Sequence, residues 1–380
     1  MNERVVIAER ITEARDELGI DKKTLSELSG ISRVTISNIE NKSNKSPSLD
    51  TMYQLACALH HPLDFFYTPF IDSYDEITEI AFRSYRSQSQ RENRRAKVKL
   101  KRAEELTAYL YGYINGRSFN FNISSIRSEP SIISSLDMEV IATQIREAFG
   151  IGNGPIIELT TFLENNGIIC CSVDLPSKTA SLNRTIKFDD LDGETAIIVY
   201  NSSLSYYRQR FSIAHELGHI MLHRYWDQTD FAKNTELAED QANAFASAFL
   251  MPSSTFLTTL GPYKGLDGAL ALKEMWRTSI ASICRRMYDL GVVSESQYSN
   301  MYIDISRKHW RTTEPGDKQM PVEEPYYLQL GYSKLFQEQI ISPYEVLQAT
   351  GLSAQEVSKY IGNEEYFNPI RANTNFELKQ

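Results

Sequence analysis

Short apolar stripes separated by turn residues occupy the first seventy positions of the chain. The first stripe recurs at helical spacing, at Ile7, Ile11, Ala14 and Leu18. Gly19 ends this stripe, Gly30 separates the next two helices, and Ser32 is a good N-cap for the third. Apolar residues from Leu49 to Leu59 predict a fourth helix. The pattern therefore predicts a compact set of short helices over residues 1–70.

A basic segment follows, over residues 71–135. Between positions 83 and 102 the chain carries nine basic residues and one acidic residue, Glu92. Good helix formers at 96–113 predict a long linker helix, and the Ser- and Asn-rich residues 116–135 predict a loop. Two interpretations of the basic run stay open: a solvated helix face, or an extension of a nucleic-acid footprint.

The rest of the chain predicts a mixed domain followed by a helical region. Helices are expected at 138–149, 155–165, 206–224 and 235–250, and strands at 167–173 and 195–200. The predicted fold class is multidomain and mostly α, with one α+β domain. The expected divisions are a helical domain at 1–70, a basic helical linker at 71–135, an α+β domain at 136–260 and a helical C-terminal region at 261–380.

Composition narrows the classes of function. The 380 residues are 42% hydrophobic and 23% charged, which excludes wholesale disorder. A net charge of −9 argues against indiscriminate nucleic-acid binding by the whole surface. The four cysteines form no CxxC pair, which indicates a reducing compartment, and no apolar run is long enough to span a membrane. We expect a cytoplasmic protein without a membrane partner.

Three of the six histidines fall close together, and they show where chemistry is expected. Residues 215–219 are His-Glu-Leu-Gly-His. On a helix, His215 and His219 lie on one face and can present both imidazoles to a single Zn²⁺ ion. Glu216 then lies beside the metal as the candidate general base. The alternative is a buried helix whose histidines bond to the backbone.

Glu239 is the expected third ligand, because it lies twenty residues after His219 on a helix that can return against the first. Two imidazoles, one carboxylate and a water form an open tetrahedral site. Glu236 and Asp240 are rivals for this role. Asn243, one turn after Glu239, is placed to hydrogen-bond a ligand histidine. Small alanines on the same face would let this helix approach Gly218 closely.

Three further residues near the motif are candidates for catalysis. His223 lies a further turn along the His219 face, where it either stabilises an oxyanion or caps the helix end. Tyr207 and Arg210 precede the motif and could reach a tetrahedral intermediate. A core or surface role is the commoner one for such residues.

Three stretches between about residues 156 and 252 carry a family resemblance. They are Ile-Val-Tyr-Asn at 198–201, Arg-Phe-Ser-Ile-Ala-His-Glu-Leu-Gly-His at 210–219 and Glu-Asp-Gln-Ala-Asn-Ala-Phe-Ala at 239–246. This region resembles the ImmA/IrrE family of bacterial metallopeptidases. The resemblance implies a zincin-like α+β fold, zinc ligands at His215, His219 and Glu239, and a catalytic Glu216. It also implies limited proteolysis of a helix-turn-helix repressor, often in phage, mobile-element or damage-response circuits.

Residues 25–42 carry a second resemblance. They are Leu-Ser-Glu-Leu-Ser-Gly-Ile-Ser-Arg-Val-Thr-Ile-Ser-Asn-Ile-Glu-Asn-Lys, which resembles the Cro/C1-type (XRE) helix-turn-helix. The resemblance implies a lambda-repressor-like helical domain that binds a double-stranded DNA operator. The residues expected to join the two motif helices are Leu25, Leu28, Ile31, Ile36 and Ile39. The expected DNA contacts are Lys22, Ser32, Arg33, Val34, Thr35, Asn38, Lys42 and Lys45. Because such modules read two half-sites, we expect a homodimer.

These features together predict a sequence-specific transcription regulator with a zinc endopeptidase in the same chain. Its protein substrate would be a helix-turn-helix repressor, either this chain or a partner, cut near a movable linker such as residues 103–135. The main alternative is a non-proteolytic regulator whose zinc domain senses a metal or a small ligand. A role in a toxin–antitoxin or phage-defence system is compatible with either chemistry.

Overall fold

The computed structural model describes residues 5–44, 46–71, 74–76, 89–119, 129–188, 191, 193–261, 265–362 and 364–367. The N-terminal helices are α1 (Ala8–Leu18), α2 (Lys22–Ser29), α3 (Arg33–Glu40), α4 (Leu49–Leu59) and a 3-10 helix (Leu63–Tyr67). Side chains cap three of them by accepting a backbone N–H, those of Asp21, Ser32 and Ser48. The predicted core role of Leu28 is wrong, because it is 60% exposed, whereas Leu25 of the same helix is buried as predicted.

Helix α5 (Gln90–Tyr111) is the long helix expected in the basic segment, and it is packed into the core. A capping box of Ser89 and Glu92 begins it. Its buried apolar side chains include Ala96, Leu100, Ala103, Leu106 and Leu110. We expected a movable segment from residue 103 onward. That expectation is wrong for residues 103–111, because they belong to this packed helix. Residues 120–128 of the same expected segment lie outside the described residues, and the four domain divisions stay a prediction.

Twelve further helices follow within the described residues. They are α6 (Ser135–Ala148), α7 (Leu159–Asn165), α8 (Tyr206–His223), α9 (Gln228–Lys233), α10 (Thr235–Leu250), α11 (Ser253–Thr259), α12 (Leu266–Trp276), α13 (Ile280–Asp289), α14 (Glu295–Arg307), α15 (Tyr327–Gln337), α16 (Pro343–Thr350) and α17 (Ala354–Ile361). In the part of the chain that the structure describes, every helix is too short or too polar to cross a lipid bilayer.

A four-stranded sheet lies at the centre, with the strand order β1–β3–β4–β2. The strands are β1 (Asp75–Glu76), β2 (Ile168–Val173), β3 (Ser181–Lys187) and β4 (Thr195–Asn201). Strand β4 pairs parallel with β2 and antiparallel with β3. The sequence predicted β2 and β4, which are continuous apolar runs. It did not predict β3, in which polar and apolar residues alternate.

Different helices cover the two faces of the sheet. On one face, Leu182 and Val199 share a core with the α1–α4 unit, α5 and the C-terminal helices α15–α17. On the other face, Ile168 and Ile198 share a second core with α6, α8 and α10. The predicted fold class, mostly α with one α+β domain, is confirmed, and the sheet lies between the N-terminal helices and the helix with the histidine motif.

Candidate active site and DNA-binding surface

Helices α8 and α10 pack against each other at a glycine. A Cβ atom on Gly218 would lie 3.1 Å from the Cα atom of Ala242 and 3.0 Å from a ring carbon of Phe245. Because real Cβ atoms rarely approach backbone so closely, this crossing requires a glycine in α8 and a small residue in α10. The close approach brings the histidine face of α8 up to the carboxylates of α10, as the small residues of α10 suggested.

Three ligand atoms converge between these helices. The Nε2 atoms of His215 and His219 lie 3.1 Å apart, and each is 3.5 Å from a carboxylate oxygen of Glu239. These three residues form a group that could hold a metal ion. Two neutral imidazoles and one carboxylate suit Zn²⁺, so the donor set fits the metal that the sequence implies. The rivals Glu236 and Asp240 are exposed and are not members of this group.

Second partners orient both imidazoles. The Nδ1 atom of His215 is 3.0 Å from Oδ1 of Asn243, which is the contact expected of this asparagine. The Nδ1 atom of His219 is 3.0 Å from Nδ1 of His223, whose Nε2 is 3.0 Å from Oε1 of Gln241. If both ligand histidines present Nε2 to a metal, their Nδ1–H groups donate to Asn243 and to His223.

His223 therefore lies behind a ligand rather than in front of the metal. Burial lowers the pKa of His223 to about 3, so its ring is neutral at pH 7. A neutral ring can accept from His219 at Nδ1 and donate to Gln241 at Nε2. Both nitrogens are then occupied, and neither expected role, oxyanion stabilisation or a cationic helix cap, fits this placement.

The carboxylate of Glu216, on the same helix as the ligand histidines, is hydrogen-bonded to strand β3. The hydroxyl of Ser181 donates to one carboxylate oxygen at 2.6 Å, and the amide of Asn183 donates to the other at 2.5 Å. Burial raises the pKa of Glu216 above its ordinary value, and the electrostatic influence of His219 and these two hydrogen bonds oppose that rise. Sequence reasoning missed Ser181 and Asn183. Their alternation with Leu182 was the available signal.

Tyr207 and Arg210 do not reach this site. Tyr207 begins two turns before His215, and its ring packs under the ammonium of Lys273. The guanidinium of Arg210 donates to the backbone oxygens of Ile156 and Arg277 and pairs with Glu323. Both expectations of contact with a tetrahedral intermediate are corrected: Tyr207 packs against Lys273, and Arg210 joins segments before and after α8 to this helix.

Access to the triad is narrow. His215, Glu216 and His219 are buried, and Glu239 is 18% exposed. Trp226 packs edge-on against His223, and the ring of Phe231 lies 6.1 Å from that of His219. Solvent therefore reaches the triad mainly at Glu239.

The expected DNA contacts cluster at the start of α3. Arg33 and Asn38 are exposed, Val34 is 70% exposed, and Thr35 is half-buried. Ser32 caps the helix by accepting the N–H of Thr35 at 3.1 Å. These side chains can meet base edges, and the helix N-terminus can meet a phosphate.

The expected lysine contacts are less free. Lys22 lies 3.0 Å from a carboxylate oxygen of Glu40, and Lys42 pairs with Glu9. Each ammonium is therefore partly neutralised within its own domain, which reduces the charge that it can offer to phosphate. Lys45 lies outside the described residues.

The basic run of α5 is directed at the acidic face of α1. Arg94 pairs with Asp16 at 3.1 Å, Lys99 pairs with Glu17, and Arg102 is 2.9 Å from Glu13. The solvated-face interpretation is wrong for Arg102, which is buried, whereas Arg91, Arg94 and Lys97 are exposed and their role in a DNA footprint stays a prediction. Arg83 and Arg86 lie outside the described residues.

Comparison with known families agrees with this geometry. The helix-turn-helix family model matches residues 11–66, and the model described as the IrrE N-terminal-like domain, a peptidase family, matches residues 177–288. The chain carries a helix-turn-helix domain and an IrrE-like metallopeptidase domain. No curated protein matches the chain. The IrrE-like match begins just before β3 and includes α8, α10 and the whole ligand triad, while the helix-turn-helix match runs from α1 into the 3-10 helix.

Proposed function

We propose that this chain is a sequence-specific DNA-binding regulator whose IrrE-like domain is a zinc-dependent endopeptidase that cuts a helix-turn-helix repressor, either itself or a partner. One observation carries the proposal. Two imidazoles and a carboxylate converge within 3.5 Å beside a second, buried carboxylate, in a chain that also presents an exposed recognition helix.

Each residue has a distinct role in the proposed reaction. His215, His219 and Glu239 would hold Zn²⁺, which when bound supplies Lewis-acid polarisation of the scissile carbonyl. Glu216 accepts a proton from the attacking water and delivers it to the amine that leaves. Asn243 and His223 orient the two ligand imidazoles.

The DNA-binding half of the proposal depends on the exposed start of α3. Arg33 and Asn38 would read base edges, and Val34 would meet a thymine methyl. Two copies of the chain would bind two half-sites of an operator, and a cytoplasmic location follows because the operator lies there. The proposed setting is a phage, mobile-element, defence or stress circuit.

The ligand roles can be tested by metal analysis of the purified chain. We expect one zinc per chain, lost for the most part in His215→Ala and in Glu239→Ala. Asp240→Ala is the matched control, because it removes a neighbouring carboxylate from the same helix. Loss of zinc in Asp240→Ala with retention in Glu239→Ala would refute the assigned triad.

The catalytic role can be tested with Glu216→Gln, which keeps the ligands. Candidate repressors and the chain itself, incubated with zinc and analysed by mass spectrometry, should yield a fragment that is absent with Glu216→Gln. Equal cleavage by both chains would refute the role of Glu216.

A second candidate function is a non-proteolytic regulator whose metal domain senses a metal or a small ligand. The burial of His215, Glu216 and His219 favours it, because a peptide substrate needs more access than a single ion. Zinc binding that changes operator affinity, without a fragment from any repressor, would favour this function over proteolysis.

A further inference from the structure

We propose that Ser181 and Asn183 are positioning residues that hold the carboxylate of Glu216 in its working orientation. The inference rests on the proposed peptidase function, since Glu216 is the proton carrier of that reaction. Its physical basis is a pair of contacts from a strand that the sequence motif does not include.

The two side chains lie on the same face of β3. Successive side chains of a strand point to opposite faces, so positions 181 and 183 face α8 while Leu182 faces the other core. Strand β3 packs against β4 on one side and contacts α8 through this face. Ser181 and Asn183 therefore approach Glu216 from a different element than the one that carries the metal ligands.

The neighbouring strands show that polar residues here are not required by the fold. On the same face of the sheet, β4 presents Ala196 and Ile198, and β2 presents Ile168 and Cys170, all buried in the apolar core. Polar residues on a buried strand face weaken packing unless they find partners. Here Ser181 and Asn183 face Glu216, the carboxylate that carries the proton in the proposed chemistry.

The two contacts supply hydrogen bonds to the carboxylate of Glu216 and also fix its orientation. The hydroxyl of Ser181 donates to Oε1 at 2.6 Å, and the amide of Asn183 donates to Oε2 at 2.5 Å. A single hydrogen bond would leave the carboxylate plane free to turn, whereas one donor on each oxygen defines that plane. Buried charge-assisted hydrogen bonds of this kind also replace the water that Glu216 has lost.

The first test measures the contacts without using activity. A double-mutant cycle of Ser181→Ala and Glu216→Gln, followed by urea unfolding of the zinc-free chain, should give a coupling of at least threefold in the unfolding equilibrium constant. The cycle of Leu182→Ala with Glu216→Gln is the control and should show no coupling, because Leu182 packs on the opposite face. Absence of coupling in the Ser181 cycle would overturn the inference.

The second test separates positioning from folding. With a full-length helix-turn-helix repressor that the wild type cuts, Ser181→Ala and Asn183→Ala should each lower kcat by about 10- to 100-fold, with KM and zinc content unchanged. Ser181→Thr keeps the hydroxyl and should recover most of kcat. Leu182→Ala should lower thermal stability while the folded fraction keeps its kcat.

The outcomes separate this inference from the proposed function. Full kcat in both variants, or equal loss in Ser181→Thr and Ser181→Ala, would overturn the positioning role while leaving the peptidase proposal intact. A wild-type chain that cuts no repressor would overturn the proposed function and the catalytic part of this inference. The double-mutant cycle would then test only whether Ser181 contacts Glu216.

Discussion

Replacing Arg10 with methionine should loosen the helix-turn-helix domain from the rest of the chain. The guanidinium of Arg10, in α1, is fully buried and lies 2.6 Å from Oε1 of Glu105 in α5. It also pairs with Glu13 at 3.0 Å and donates to the backbone oxygens of Thr68 and Pro69. One side chain thus joins the first helix, the end of the helix-turn-helix domain and the helix beneath the sheet.

The magnitude follows from what the substitution leaves behind. Removing one partner of a buried ion pair costs about 3–5 kcal/mol, because the other charge stays buried without its partner. The carbonyls of Thr68 and Pro69 would also lose a donor. Typical domains are stable by only about 5–15 kcal/mol, so Arg10→Met should remove about a fifth or more of the stability of this region. Arg102 keeps Glu105 from being wholly unpaired, which favours the lower end of the range.

A double-mutant cycle checks this reasoning. Urea unfolding should be followed by circular dichroism for all helices and by tryptophan fluorescence for the region from 226 to 310, where all three tryptophans lie. Arg10→Met should lower the circular-dichroism midpoint more than the fluorescence midpoint. The Arg10→Met/Glu105→Met chain should be at least about 1 kcal/mol more stable than the sum of the single changes predicts. Strict additivity, or a loss below about 1 kcal/mol in Arg10→Met, would refute the assigned role.

Three other predictions concern packing, pH and charge. Gly218→Ala should lower the free energy of unfolding by about 1–3 kcal/mol and reduce the zinc content, because the added methyl group would press on the backbone of Ala242. An unchanged melting temperature and an unchanged zinc content would contradict this. Burial raises the pKa of Glu164 to about 7, so the folded chain keeps the proton of this carboxyl at pH values where the unfolded chain loses it. The free energy of unfolding should therefore fall as pH rises from about 4.5 to 7, by at most about 3 kcal/mol. Unfolding free energies at several pH values should show a shallower slope in Glu164→Gln, and an equal slope would count against the shift. Arg33→Ala should weaken operator binding by about 1–3 kcal/mol of binding free energy. Arg94→Glu should leave the salt dependence of DNA binding unchanged, as measured by anisotropy at several salt concentrations. A lower salt slope in Arg94→Glu would show that the basic run contacts DNA.

The sequence predicted the parts of the fold that local periodicity controls. Helical spacing and capping residues such as Ser32 located the helix-turn-helix, and the continuous apolar runs located β2 and β4. The histidine spacing predicted which atoms would converge, because four residues of helix place two imidazoles on one face whatever surrounds them. Asn243 followed from the same helical geometry.

Tertiary contacts account for what the sequence did not predict. Strand β3 was missed because its inward residues are polar, and two of them, Ser181 and Asn183, donate to Glu216. The ion pairs between the basic run and α1 were not predicted, because the acidic partners lie some eighty residues earlier. Arg210 looked close to the motif along the chain, but its guanidinium turns toward Glu323. Each error concerns a partner distant in sequence, which periodicity cannot reveal.

The contacts of α5 bear on how DNA binding and the proposed cleavage would influence each other. Arg10 of α1 pairs with Glu105, the adjacent Glu104 lies 3.2 Å from Arg184 of β3, and Asn183, next along that strand, donates to Glu216. Densely packed cores move between discrete arrangements and do not stretch. A displacement of α1 on DNA would therefore shift α5 and β3 together or break one of these buried pairs. Either response reaches the strand that holds Glu216, so we expect the proposed cleavage to differ between the DNA-bound and the free chain.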